Sequence, residues 1–224
     1  LDDADLELAA SNAAWGAYLH QGQICMASGR ILVHEKLVKS FVARLAEKAT
    51  NLPVGNPSLS EVAIGPLIHR GQLDHVAGVV QDSVRAGAKL EAGGTFEGLF
   101  YRATVLSGVK PGMRAFEEEI FGPVASVTAF ATDDEAVALA NQTDYGLSAA
   151  ILSNSVGRAS ALGERLRTGL LHINNQTVDD DVINPFGGVG ISGNGTSIGG
   201  PANWEEFTQW QWTTIRERAP ARPF

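Results

Sequence analysis

Hydrophobic residues recur along the chain with two different periods, and this pattern indicates strands that alternate with helices. Short apolar runs at residues 30–34 and 170–174 predict strands. Residues 35–49 instead repeat apolar side chains every three or four positions, which predicts an amphipathic helix. We therefore expect an α/β fold with a largely parallel sheet flanked by helices.

The same periods, together with helix caps and glycine stop signals, predict the other elements. Four further helices are predicted at residues 5–20, 70–87, 132–144 and 155–169. Four further strands are predicted at residues 89–94, 100–109, 121–130 and 145–153. Strands and helices thus alternate over most of the chain, as in α/β proteins.

Residues 184–201 break this pattern with glycines at positions 187, 188, 190, 193, 195, 199 and 200. A dinucleotide-binding glycine motif would follow a strand and open a helix, with an acid downstream. This segment has no such context, and we interpret it as a well-packed loop that allows close backbone approach. Residues 203–217 then alternate aromatic and polar side chains, which predicts an edge or bridging strand.

Composition and charge limit the classes of partner. The 224 residues carry a formal net charge of −8, which argues against a nucleic-acid surface. No apolar run approaches the roughly 18–20 residues that a membrane helix needs, so we expect no membrane partner. A single cysteine and the absence of a signal peptide indicate a reducing, cytoplasmic compartment. The chain also lacks an initiator methionine, and we expect it to be part of a longer protein.

The only cysteine, Cys25, lies in the stretch HQGQICMAS and has two interpretations. A lone cysteine can be a small buried hydrophobe, whereas a reactive one needs solvent access and a polar environment that favours the thiolate. Residues 21–23 place a flexible turn and two amide side chains before the sulfur, and Ile24 and Met26 flank it with apolar surface. The sequence pattern leaves both interpretations open.

The five histidines do not form a metal-binding pattern. His69 and His75 lie six positions apart, and the other three are isolated, whereas zinc motifs place ligands closer together. We interpret these residues as surface or capping histidines. A cysteine hydrolase that pairs Cys25 with a histidine is a weaker alternative, because no histidine is singled out as the partner by its position.

The stretch FEEEIFGPV contains three consecutive glutamates in different surroundings. We interpret Glu117 and Glu118 as a solvated acidic turn. Glu119 adjoins Phe121 and the turn at residues 122–123. A carboxylate beside an aromatic ring can bind a sugar hydroxyl while the ring contacts a heterocycle.

The segments GQIC, EEEIFGPV, YGLSAAI and PFGGVGISG occur in the order and at the separations found in NAD(P)-dependent aldehyde dehydrogenases. The chain resembles this family over essentially its whole length. The resemblance implies that Cys25 is the nucleophile, and that Glu119 binds the nicotinamide ribose hydroxyls. It also implies that Phe121 lies beside the nicotinamide ring, and that Gln72, in RGQLDHV, contacts the cofactor.

The resemblance further implies an oxidation of aldehydes to acids with NAD or NADP, through a thioester on the cysteine. Ile24 and Met26 then line the substrate tunnel. Ser197 departs from the family pattern, because many members carry a glutamate there that helps to move protons. The sequence after residue 198 resembles the branch that oxidises benzaldehyde, vanillin and salicylaldehyde.

The resemblance also implies a domain organisation and an assembly. Residues 1–201 correspond to a catalytic domain, and residues 202–224 to a C-terminal bridging tail, without the N-terminal dinucleotide-binding domain or the general-base glutamate. We expect a homo-oligomer, a dimer or tetramer, in the full-length protein. Two alternatives stay open: a catalytically incomplete fragment that acts only in packing, and a thiol esterase that acts through Cys25.

Overall fold

A computed structural model of the chain describes residues 1–223. Its helices are α1 (Leu6–Tyr18), α2 (Glu35–Asn51), α3 (Arg70–Arg85), α4 (Arg114–Glu117), α5 (Asp133–Asn141), α6 (Val156–Gly163) and α7 (Ala202–Phe207). Its strands are β1 (Arg30–His34), β2 (Lys89–Ala92), β3 (Phe96–Glu97), β4 (Phe100–Tyr101), β5 (Thr104–Ser107), β6 (Val124–Phe130), β7 (Ser148–Ile151) and β8 (Leu170–Ile173). The predicted α/β fold is confirmed.

The main sheet has four strands in the order β1-β6-β5-β2. Strand β6 pairs in parallel with both β1 and β5, and β7 pairs in parallel with β8 in a separate sheet. Strands β2 and β5 are antiparallel, as are the short strands β3 and β4. Strands β2 and β5 are connected only through the β3–β4 hairpin. Because a parallel pair needs a long crossover connection, usually a helix, this short connection leaves β2 and β5 antiparallel. The prediction of a largely parallel sheet therefore holds for three of the five pairings.

The main sheet is buried between two layers of helices, each with its own core. Neighbouring residues on β5 show this, because Val105 packs in the cluster with α1 and α2 while Leu106 packs in the cluster with α3 and α4. Both side chains are fully buried. All four residues of β5 are buried, as expected of a strand that is covered on both faces.

Several predicted boundaries were wrong. Helix α6 ends at Gly163 instead of Gly169, because turns replace the helix over the following residues. The strand predicted at 100–109 is divided into β4 and β5. Helix α4, of only four residues, had no periodic signal that could predict it.

The strand predicted for the tail is not formed in this single chain. Helix α7 occupies Ala202–Phe207, and residues 208–223 have no strand partner among the described residues. Trp210 and Trp212 are almost completely exposed. A strand needs a neighbour to bond its backbone groups, and no edge of this chain supplies one to the tail. The last residue of the predicted tail, residue 224, lies outside the described residues.

No helix within residues 1–223 is both long enough and apolar enough to cross a bilayer.

One arginine connects the first residues of the chain to the β7–α6 connection. Arg158 donates two hydrogen bonds to Asp133, of 2.8 and 2.6 Å, and one of 2.7 Å to Asp2. Asp3 accepts from the Ser153 hydroxyl at 2.8 Å. Hydrogen bonds from Arg158 hold the pKa of Asp133 below its ordinary value. The entry to α1 is therefore held by charge-assisted bonds to α5 and α6.

We expect Arg158→Gln to lower the free energy of unfolding at pH 7 by about 1 kcal/mol. Because the folded-state pKa of Asp133 is depressed, this stabilisation is present above its unfolded pKa of about 3.9. It is lost as the pH falls through the lower folded-state pKa, so the difference between variant and wild type should shrink there. Urea unfolding at pH 7 and near pH 3 measures both values. Arg102→Gln is a control at an exposed arginine, and an equal loss in the two variants would contradict the prediction.

Candidate active site

Cys25 lies at the tip of a four-residue turn that follows α1. The turn is closed by the Ala27 N–H, which donates to the Ile24 carbonyl at 2.9 Å. Cys25 is exposed, whereas Met26 beside it is only 6% exposed and Ile24 is half-buried. Within residues 1–223 the Cys25 N–H donates to no acceptor. Cys25 is therefore not the small buried hydrophobe of the first interpretation, and a free backbone donor lies next to the sulfur.

The chain before Cys25 has an unusual backbone that two amide side chains hold in place. His20, Gln21 and Gly22 have φ values of +52°, +60° and +66°. Such angles cost about 1–2 kcal/mol for each non-glycine residue. The Gln21 amide, oriented so that both of its ends are satisfied, accepts from the Gly65 N–H at 2.8 Å. Gln23 accepts from the N–H of residue 68 at 2.9 Å, so these amides anchor the turn to residues 65–68.

The three consecutive glutamates differ as the sequence suggested, although two of them are paired and not merely solvated. Glu117 accepts from the Gly112 N–H at 2.7 Å, and Glu118 receives two bonds from Arg114, of 2.6 and 2.8 Å. These bonds from Arg114 hold the pKa of Glu118 below its ordinary value. Glu119 is exposed and has no hydrogen bond or ion pair to its carboxylate within the described residues. Its carboxylate is the one available to a ligand.

Helix α3 holds the backbone of residues 119–121. The Gln72 Nε2 donates to the carbonyls of Ile120 and Phe121, at 2.9 and 2.8 Å. The His75 Nε2 lies 3.1 Å from the Glu119 carbonyl oxygen. Phe121 has a φ of +51° and its side chain is 37% exposed. Sequence reasoning did not find His75, although its spacing of three from Gln72 places both on one face of the helix.

The two loops contact each other through glycines. A Cβ atom added at Gly22 would overlap the carbonyl oxygen of Gly122, and one added at Gly122 would overlap the Val76 side chain of α3. The turn that carries Cys25 therefore packs on the loop that carries Glu119, and that loop packs on helix α3. No side chain lies between the two loops. In the sequence, only the glycines of GQIC and FGPV indicated this contact. The family resemblance treated both glycines as parts of motifs and gave them no packing role.

This packing leaves a cavity of about 60 Å³ that brings the predicted residues together. Its walls include Ile24, Cys25, Glu119 and Phe121, from segments separated by more than 90 positions in the chain. Gln72 and Met26 are not among the residues that line it. A larger cavity of about 390 Å³, between β1 and β7, also borders Cys25 and Glu119. Ser197 lines neither cavity.

Arg30, which the sequence analysis did not single out, connects β1 to the acidic segment. Its guanidinium donates to the Phe116 carbonyl at 3.0 and 2.6 Å and stacks 4.0 Å from the centre of the Phe116 ring. It also donates to the Leu139 and Gln142 carbonyls at the end of α5. Burial lowers the pKa of Arg30. The signal in the sequence was a lone charge at the start of an apolar strand, five positions after Cys25.

Within residues 1–223, no three or more histidine, cysteine, aspartate or glutamate side chains are grouped so that they could hold a metal ion.

Comparison with known proteins identifies the family. A model described as "Aldehyde dehydrogenase family" matches residues 1–213. The chain is 54% identical over its full length to a vanillin dehydrogenase from Amycolatopsis sp., and 48% identical to an NAD(+) benzaldehyde dehydrogenase from Pseudomonas putida. The chain belongs to the aldehyde dehydrogenase family. It spans 46% of the length of each of these two relatives.

Solved structures of aldehyde dehydrogenases have the same fold. The crystal structure of a salicylaldehyde dehydrogenase from Pseudomonas putida, complexed with salicylaldehyde, matches the whole chain with a TM-score of 0.94 and 38% identity. The match covers 46% of that structure's chain. An aldehyde dehydrogenase from Mycobacterium tuberculosis complexed with NAD+ matches 93% of the chain with a TM-score of 0.88 and 34% identity, and covers 44% of that structure's chain.

We expect Gly22→Ala to destabilise the chain more than a positive φ alone would. The new methyl group must displace the Gly122 carbonyl, so the loss should exceed about 2 kcal/mol. Gly98→Ala is the matched control, because Gly98 has a similar φ of +58° with nothing within 4 Å of the added carbon. That variant should lose only about 1 kcal/mol. Urea unfolding of both variants measures the difference, and equal losses would show that the contact between the loops is unimportant.

Proposed function

We propose that this chain carries the nucleophile and the nicotinamide side of the site of an NAD(P)+-dependent aldehyde dehydrogenase that acts on aromatic aldehydes. The observation that carries the proposal is the shared cavity of Cys25, Glu119 and Phe121. The names of the relatives, vanillin and benzaldehyde dehydrogenase, support an aromatic substrate. Ile24 supplies an apolar wall beside the thiol, which suits an aromatic ring.

The residues around the cavity fit a nicotinamide nucleotide. The Glu119 carboxylate is exposed and unpaired within the described residues, so it can accept hydrogen bonds from ribose hydroxyls. The Phe121 ring is partly exposed and is held by a constrained backbone, so it can lie against a flat heterocycle. Bound NAD or NADP would supply the acceptor for a hydride. Related structures contain one or the other, and the residues that would choose between them are not among those described above.

Cys25 performs the covalent chemistry. Its thiolate sulfur adds to the aldehyde carbon, a C–S bond forms, and the carbonyl π electrons move to oxygen. The Cys25 N–H has no acceptor within the described residues, and in this mechanism it donates to the oxyanion. Loss of a hydride from the tetrahedral carbon leaves a thioester on Cys25. Water then hydrolyses the thioester, which releases the carboxylic acid and returns the thiol.

Residues outside this chain complete the proposed enzyme. We assign residues 1–201 to the catalytic domain, and we place the general base and the dinucleotide-binding domain in the other half of the relatives' length. The 224-residue chain alone should therefore form no NADH from benzaldehyde and NAD+. The exposed thiol leaves ester hydrolysis without a cofactor as the activity that the isolated chain can still perform.

We expect Cys25→Ser, in the protein extended to the full length of its relatives, to reduce benzaldehyde oxidation by at least about 1,000-fold, because serine is a far weaker nucleophile at neutral pH. NADH absorbance measures this activity. Ser11→Ala, at an exposed position of α1, is the control and should retain activity. Retained oxidation in Cys25→Ser would remove Cys25 from the mechanism. Turnover of p-nitrophenyl acetate without cofactor, lost in the same variant, would identify the esterase instead only if the wild-type protein also forms no NADH from benzaldehyde.

The tail is proposed to join subunits. Trp210, Trp212 and Ile215 are each at least 89% exposed, and residues 208–223 have unpaired backbone groups that a strand of a second copy can bond.

We expect removal of residues 202–224 to convert a dimer or tetramer into a monomer, because the removed segment holds these apolar side chains. Sedimentation equilibrium measures the mass. An unchanged oligomer after the deletion would exclude the tail as the bridging element.

A further inference from the structure

We propose that Gln72 and His75 are positioning residues, which fix the backbone of residues 119–121 so that Glu119 and Phe121 face the cavity of Cys25. This inference rests on the proposed function. It assigns to Gln72 a role different from the cofactor contact that the family resemblance implies. It also adds His75, which no sequence motif indicated.

Three consecutive carbonyl groups of the loop accept hydrogen bonds from the side chains of α3. Gln72 binds those of Ile120 and Phe121, and His75 lies in hydrogen-bonding distance of that of Glu119. The loop between α4 and β6 has no regular structure to pair these carbonyls. The side chains of the helix therefore supply the partners that a strand or helix would otherwise provide.

The geometry of Gln72 favours positioning over direct contact with a ligand. A glutamine amide nitrogen carries two N–H groups, and both are used by the two carbonyls. No N–H group of this side chain remains for a ribose or carboxamide oxygen, and only its Oε1, an acceptor, is left over. Gln72 also lies outside the wall of the 60 Å³ cavity that contains Cys25, Glu119 and Phe121.

The bonds from α3 hold a conformation that the loop would not adopt alone. Phe121 is an aromatic residue with a φ of +51°, which costs about 1–2 kcal/mol. Strain of this kind persists only where the surroundings determine the backbone. Gln72 donates to the carbonyls of Ile120 and Phe121, which lie on either side of the Phe121 α-carbon. Gly122 packs on Val76 of the same helix. The exposure and direction of the Phe121 ring follow from this backbone.

The same turn of α3 also holds the nucleophile. His69 caps the helix, and its Nδ1 accepts from the Gln72 N–H at 3.0 Å. The N–H of Ile68, the residue before the cap, donates to Gln23, two positions before Cys25. The start of α3 is therefore bonded to both loops at once. It fixes the distance between the Cys25 turn and residues 119–121.

The decisive experiment replaces Gln72 by Met, which keeps the length and removes the donor. In the 224-residue chain without cofactor, ¹⁵N relaxation gives the order parameters of the amides of residues 119–122. We expect them to fall from about 0.85 toward about 0.6. Gln81→Met, at an exposed glutamine on the same helix, should leave them unchanged. His75→Phe should loosen the loop as Gln72→Met does, and His75→Gln, which keeps an N–H donor, should retain the order.

A kinetic measurement on the protein extended to the full length of its relatives separates positioning from contact. Gln72→Met should raise the KM for NAD+ about tenfold, with a smaller change in kcat. Glu119→Gln should raise the same KM without loosening the loop. A higher KM with an unchanged loop in Gln72→Met would show direct contact and overturn the proposal, as would a loosened loop with an unchanged KM. If the wild-type protein oxidises no aldehyde, the proposed function fails, whereas an unchanged loop refutes the positioning role itself.

Discussion

The backbone contact between Gly22 and Gly122 is the constraint on which the site depends. It brings together two loops that are 100 residues apart in the sequence, without any side chain between them. Each loop is then fixed by a separate hydrogen bond: the N–H of Ile68, just before α3, donates to Gln23 on one side, and Gln72 of α3 donates to the other loop. Close-packed interiors respond to changes as small as one methylene group. The distance between the Cys25 turn and the loop of Glu119 is therefore set by this backbone contact together with the hydrogen bonds of Gln23 and Gln72.

The main sheet supplies the rigid frame behind this contact. The two site loops precede adjacent parallel strands, since β1 follows the Cys25 turn and β6 follows the Glu119 loop. Residues before the amino ends of neighbouring parallel strands lie at the same edge of a sheet. Arg30, the first residue of β1, strengthens this edge because it binds the Phe116 carbonyl just before the acidic segment. The site is thus built at the amino-terminal end of two strands whose sheet is covered on both faces by helical cores.

Much of the fold and part of the site could be predicted from the sequence. The strand at 30–34 and the helix that begins at residue 70 were found because their apolar periods are strong. Cys25, Glu119 and Phe121 were found through a resemblance, and the structure brings them to one cavity. The roles of His75 and Arg30 could not be predicted, because both bind backbone carbonyls that are distant in sequence. Such partners become visible only when the fold has placed them together.

The tail shows a different limit of sequence analysis. Alternation of aromatic and polar residues predicted a strand there, but pairing depends on a neighbour that this single chain does not offer. Helix α7 forms at its start because a short helix bonds its own backbone. The period of the apolar residues therefore predicts which face a segment can bury. Whether that face is buried depends on an adjacent strand or helix.

The pairing of Arg114 has an electrostatic consequence for the cavity. Arg114 binds both Glu118 and Asp82, and Arg85 also pairs with Asp82, so these four side chains have no net charge. The chain as a whole has a formal charge of −8 and would repel a dinucleotide, whose pyrophosphate is anionic. Neutralisation beside the site weakens that repulsion where it matters most. The proposed dinucleotide would therefore meet less repulsion at the cavity than the net charge of the chain suggests.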